Sequence, residues 1–223
     1  MNGVHLETAK STAFVVNIAA ALFLTLSTCH GQGTLQFNFD GPPLIPAGSA
    51  IGVQIYDEAG MRFTPLTNSF TFGRIGVNPR LERPDNGTSY LQAALTQSLT
   101  FRFIDDSLFN LLSVDLAEYS TVVSNAVTVP FIGYRPDGSM VTTDFTTDGI
   151  IDGTGPVADF QTFYFGPEFS GLTRVEIPTY GWSLDNVVVS VPEPTSAPLA
   201  VAGFCLWWLF RKRTRELSLP ESR

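Results

Sequence analysis

Residues 127–145 read Val-Thr-Val-Pro-Phe-Ile-Gly-Tyr-Arg-Pro-Asp-Gly-Ser-Met-Val-Thr-Thr-Asp-Phe. Val127, Val129 and Phe131 alternate with other residues on the near side of Asp137-Gly138, and a second β-prone run follows it. Asp-Gly between two such runs is a strong local hairpin signal. The stretch therefore predicts two antiparallel strands, 127–134 and 139–145.

The same period of two recurs outward in both directions. Leu35, Phe37 and Phe39 alternate, as do Ile51, Val53 and Ile55, and Leu99, Phe101 and Phe103. Each set can point to one face of a strand. Further runs are Ser69–Ile75, Leu111–Leu116, Met140–Phe145, Phe160–Phe165, Leu172–Ile177 and Asn186–Val191, giving about ten strands bounded by Gly, Pro, Asn and Asp. No internal segment carries a capped helical stripe, which disfavours an α/β domain. An all-β, antiparallel two-sheet sandwich is expected, since each sheet has one apolar face to bury. By size this is one domain over 33–190, or two small sandwiches in series.

Composition narrows the chemistry. Residues 33–191 hold 17 Asp and Glu against 7 Arg, a net charge of −10, and contain no His, Cys or Lys. An acidic surface repels phosphate backbones, so nucleic acid is not an expected partner. The domain has no internal disulfide, no His or thiolate for zinc, no His general base and no Schiff-base amine.

Both ends read as export machinery. Residues 1–32 contain Lys10, an apolar run from Ala13 to Leu26 and a small, polar stretch, the order of a signal peptide. The alternatives are a lipoprotein-type box at Leu26-Ser27-Thr28-Cys29 and a retained N-terminal anchor. Residues 191–215 form three parts. Val191-Pro192-Glu193-Pro194 is stiff and ends the domain. Ala197–Phe210 is a short apolar helix candidate with Trp207 and Trp208 near one end, and Arg211, Lys212, Arg213 and Arg215 form a basic stop that keeps the tail cytoplasmic. Residues 216–223 are a polar tail.

This tail resembles the PEP-CTERM sorting signal of exopolysaccharide-producing Gram-negative bacteria. The resemblance implies processing by an exosortase-type membrane protease and release to the cell surface or matrix. An ordinary single-pass anchor behind a proline linker is the alternative. Residues 112–118, 129–149 and 183–189 are in turn similar to PEP-CTERM ectodomains, which implies a jelly-roll sandwich related to galactose-binding or lectin-like modules.

Several constellations invite functional readings. Asp144, Asp148 and Asp152 recur every four residues in a glycine-rich stretch and, with Asp185, could offer calcium its oxygen ligands; the plain alternative is a solvated loop and a strand start. Asp105-Asp106 and the pair Asp115/Glu118 suggest the two carboxylates of a glycosidase, or simply turn caps and solvated positions. Tyr180, Trp182, Tyr134 and Tyr90 could present a platform for a sugar ring, with Trp182 expected in a loop; burial in the core is the competing reading. Asn86-Gly87-Thr88 matches a glycosylation sequon that a bacterial tail makes accidental. Taken together, the expectation is a non-enzymatic exported surface or matrix protein, membrane-anchored before processing, with carbohydrate contact in exopolysaccharide. The competing readings are a carboxylate-based polysaccharide hydrolase or lyase and a ligand-free adhesive protein.

Overall fold

The computed structural model describes residues 32–66, 71–77, 82–94, 97–120, 125–150 and 160–192. The signal segment up to Gly31 and the tail from Glu193 onward lie outside them, including Glu193, Pro194, the apolar run and the basic cluster. Among the described residues no helix is long and apolar enough to cross a membrane.

Thirteen strands are described: β1 (Gln32–Phe37), β2 (Ala50–Val53), β3 (Tyr56–Glu58), β4 (Met61–Thr64), β5 (Phe72–Ile75), β6 (Tyr90–Ala93), β7 (Leu99–Phe103), β8 (Asn110–Glu118), β9 (Thr128–Tyr134), β10 (Met140–Thr146), β11 (Gln161–Tyr164), β12 (Arg174–Ile177) and β13 (Trp182–Pro192). They form a seven-stranded sheet, ordered β11-β8-β13-β6-β5-β2 with β1 also on β13, and a six-stranded sheet, ordered β10-β9-β12-β7-β4-β3. The two sheets make one sandwich. Gln32–Val191 is a single compact unit with one contiguous core, so two sandwiches in series are ruled out.

The hairpin read at Asp137-Gly138 forms as β9 and β10, with Met140 opposite Tyr134 and Phe145 opposite Val129. Gly138 takes φ of 83°, and Asp137 Oδ1 accepts the Ser139 amide at 2.9 Å. Leu99, Phe101, Phe103, Val129 and Phe131 all face the core. The Ile51/Val53/Ile55 alternation does not. Ile51 and Ile55 are exposed and only Val53 packs on the core, because β2 is the outermost strand of its sheet and the chain crosses to the other sheet at Gln54–Ile55.

Aromatic rings join the sheets. Phe37 of β1 meets Phe63 of β4 edge-on at 5.9 Å, and Phe145 of β10 stacks on Phe163 of β11 at 4.9 Å. Such pairs add about 0.5–1.5 kcal/mol each beyond the area they bury. Val191, first residue of the Val191–Pro194 motif, packs against this core, and β13 runs on through Pro192. Proline is tolerated there because it closes the strand and leaves the ladder hydrogen bonds before it intact.

Candidate functional site

The site is built where β6, β8 and β13 meet at one end of the seven-stranded sheet. Trp182 opens β13, pairing with Ala93 on one side and Glu118 on the other. Its ring is fully buried, and its Nε1 donates to the Thr179 carbonyl at 2.9 Å. The Trp182 expected in a loop as a sugar platform is thus a core residue at the start of the last strand. Its indole instead pins the turn before it, in which Gly181 adopts φ of 88° and donates to the Ala93 carbonyl.

That turn displays Tyr180, 47% exposed, and Gly181 accepts the amide of Tyr119, 37% exposed. Tyr119 is held from its own side as well. Gln92 Nε2 donates to the Tyr119 carbonyl at 2.8 Å and to Ser183 Oγ, while Ser183 Oγ donates to the Glu118 carbonyl. The Glu118 side chain is buried at the rim, its Oε1 accepting the Gly149 amide at 2.8 Å. Tyr119, Tyr180, Glu118, Asn125, Val127 and Ala94 line an open cleft of about 610 Å³. Two tyrosine bodies beside apolar walls, with one carboxylate and an amide, suit a polar ring that has an apolar face.

Weakening the pin should loosen the platform. Trp182→Phe is expected to cost about 1–2 kcal/mol through the lost hydrogen bond and the smaller ring, measured as a shift in denaturation midpoint.

The other sequence candidates do not join this cleft. Tyr90 is fully buried, edge-on to Phe160 at 5.3 Å, and its hydroxyl has no partner among the described residues. Tyr134 is covered by the Arg174 guanidinium at 3.7 Å and donates to Glu176. Asp115 and Glu118 are three residues apart on β8 and so point to opposite faces, which removes them as a glycosidase pair. Asp105 accepts the Ser107 amide and Asp106 pairs with Arg102 across an exposed turn.

The proposed calcium ligands are also kept apart. Asp144 lies on the outer face of the six-stranded sheet, where its neighbour Phe145 turns inward, and Asp152 lies outside the described residues. Asp148 accepts from the Ile150 amide and from Gln161 Nε2. Asp185 sits on the outer face of the other sheet. The three described ones, Asp144, Asp148 and Asp185, therefore do not converge, and among the described residues no three His, Cys, Asp or Glu side chains cluster for a metal.

Asp185 has a different role. A bulge after it, with Asn186 at φ of 45°, turns two consecutive polar side chains outward. Asp185 is fully buried and accepts from Thr88 Oγ1 at 2.6 Å, from Asn86 Nδ2 and from the Asn186 amide. Asn186 Nδ2 reaches Asp115 at 2.8 Å, and Gln36 Nε2 reaches Asn186 Oδ1. Burial pushes the Asp185 carboxyl up to about 7, with the Asp115 charge adding to the rise and the hydrogen bonds opposing it. The cluster ties the 86–88 loop to the sheet. It also commits the Asn86 amide nitrogen, the atom a glycosylation sequon would need.

The signal for Tyr119 was weak in sequence, since it follows the alternating run of β8 with no marker of its own. Asn125 and Val127 reach the cleft only through the fold.

No protein-family model and no curated protein sequence matches this chain. Among solved structures, the family 11 carbohydrate-binding module from Clostridium thermocellum in complex with a β-1,3-1,4-mixed-linked tetrasaccharide aligns over 73% of this chain and 96% of its own, at 10% identity and a TM-score of 0.26. The same family's module of the cellulosomal cellulase Lic26A-Cel5E aligns over 73% and 95%, again at 10% identity and 0.26.

Proposed function

We propose that this is a non-catalytic, exported sandwich protein that holds carbohydrate in the Tyr119/Tyr180 cleft. The observation that carries the reading is the pair of half-exposed tyrosines held by backbone and side-chain bonds on a shared apolar wall. Sugar rings pack their C–H faces on such rings, and an anchored aromatic loses little entropy on binding. Glu118 and Asn125 supply polar groups for the hydroxyls at the rim.

The export expectation rests on the sequence of the two ends. In this reading residues 1–32 are removed, an exosortase-type protease acts at Val191–Pro194, and the sandwich, of the jelly-roll kind, is delivered to the cell surface or its exopolysaccharide. A hydrolase reading needs two facing carboxylates. Among the described residues lining the cleft the carboxylate is Glu118, and its strand neighbour Asp115 faces the other way.

The test is calorimetric titration of the full chain, in zwitterionic detergent, with neutral β-linked oligosaccharides. The double variant Tyr119→Ala/Tyr180→Ala is expected to lose about tenfold or more in affinity, at about 1 kcal/mol per ring. Its thermal midpoint should stay near that of the parent, because both side chains stand at the surface. Unchanged affinity in the double variant would remove the cleft as the binding site.

A further inference from the structure

We infer that the cleft selects sugars bearing a free amine over neutral or uronate sugars, an inference that rests on the cleft being the carbohydrate site. Its charge composition is one-sided. Of the described residues that line it, Glu118 is the charged one, and none of the others is cationic.

Glu118 is more than nine-tenths buried, and among the described residues its side chain accepts from one backbone amide, that of Gly149. The three ion pairs among the described residues are Arg62–Asp57, Arg102–Asp106 and Arg174–Glu176, so none of their arginines compensates Glu118. A buried carboxylate that no described cation pairs with is incompletely solvated, and a ligand ammonium donating to it makes a charge-assisted bond. Tyr119 and Tyr180 line the same cleft, and aromatic rings favour the same charge through their quadrupoles. A uronate meets the opposite situation. Its carboxylate would approach Glu118 in a domain of net charge −10, with no guanidinium among the described residues of the cleft to receive it.

The experiment uses the full chain and three β-1,4-linked tetrasaccharides with a common backbone: glucosamine, glucose and glucuronate. At a pH below the amine's pKa and at low salt, the glucosamine tetramer should bind about tenfold more tightly than the glucose tetramer, and the glucuronate tetramer more weakly than either. Glu118→Gln keeps an acceptor for the Gly149 amide and removes the charge. It should bring the ratio of the two affinities, glucosamine to glucose, to about one.

Asp106→Asn removes the same charge at the opposite end of β8 and should leave the ratio in place, which separates the local carboxylate from the general acidity of the domain. Should Glu118→Gln fail to fold, raising the pH above the amine's pKa in the parent protein must abolish the preference. A ratio that survives Glu118→Gln or the pH change, or that falls equally in Asp106→Asn, overturns the inference while leaving the cleft as a sugar site. Failure of every tetramer to bind, or binding indifferent to Tyr119→Ala/Tyr180→Ala, overturns the underlying reading instead.

Discussion

Arg74→Met should lower the unfolding free energy by about 3–5 kcal/mol, the cost of breaking a buried charged network from one side. Arg74 shares the inward face of β5 with Phe72 and is fully buried. Its Nε donates to the Phe39 carbonyl at 2.8 Å and its Nη1 to the Pro43 carbonyl at 2.7 Å, while its Nη2 is shared between the carbonyls of Phe39 and Gly41. The guanidinium also lies over the Tyr56 ring at 4.4 Å.

Residues 39–43 thus close over the sandwich edge without strand pairing of their own, and the arginine supplies the donors their carbonyls lack. Methionine fills much of the volume but leaves three carbonyls facing an apolar side chain. Lysine offers one ammonium in place of a planar fork, so Arg74→Lys should recover only part of the loss. Urea denaturation with the m-value held constant measures both. A change under about 1 kcal/mol for Arg74→Met would mean that water replaces the guanidinium at this loop.

The second large effect is a pH dependence set by Asp185. Its carboxyl rises from 3.8 in the unfolded chain to about 7 in the folded one, so folding takes up a proton between those values. The stability this group contributes is complete below about pH 4 and is lost as the pH climbs through about 7, by on the order of 3 kcal/mol. Asp57, Asp105 and Asp137 are shifted down by their hydrogen bonds and act at lower pH with the opposite slope.

Comparison with Asp185→Asn isolates the buried carboxyl. The variant can still accept from Thr88 through its amide oxygen, and its stability should be flatter across that window, overtaking the parent on the alkaline side. Parallel curves for the two proteins from pH 4 to 8 would show that Asp185 is ionised throughout, its hydrogen bonds outweighing its burial.

Much of the fold could be read directly from local pattern. Asp137-Gly138 fixed one hairpin, and the alternations at 99–103 and 129–131 named core residues, because those strands have neighbours on both sides and one apolar face. The hairpin between β3 and β4 was not legible. It turns at Ala59-Gly60 with both φ values positive, 44° and 84°, and alanine seldom signals that conformation. β6 was equally hidden, since all four of its residues are buried although only alternate ones face the core.

The candidate site was legible only in part. Of the four aromatics read as a platform, Tyr180 is the one that stands exposed at the cleft, whereas Gly181 made Trp182 look like loop when it marks the last bend before β13. Asp185 appeared as a strand start and is instead mid-strand, because β13 begins three residues earlier. Glu118 could be read only as half of a pair with Asp115; the two-residue period of β8 separates them, and the approach of the 149 loop gives Glu118 its place in the cleft.

Hydrogen exchange read by mass spectrometry, on the full chain with and without saturating β-linked oligosaccharide, tests the central claim most directly. The cleft predicts slowed exchange in peptides covering residues 118–120, 125–127 and 179–182, with β9–β10 and the 86–88 loop unchanged. Slowed exchange confined to other segments, or none at a sugar concentration that saturates binding, would contradict it.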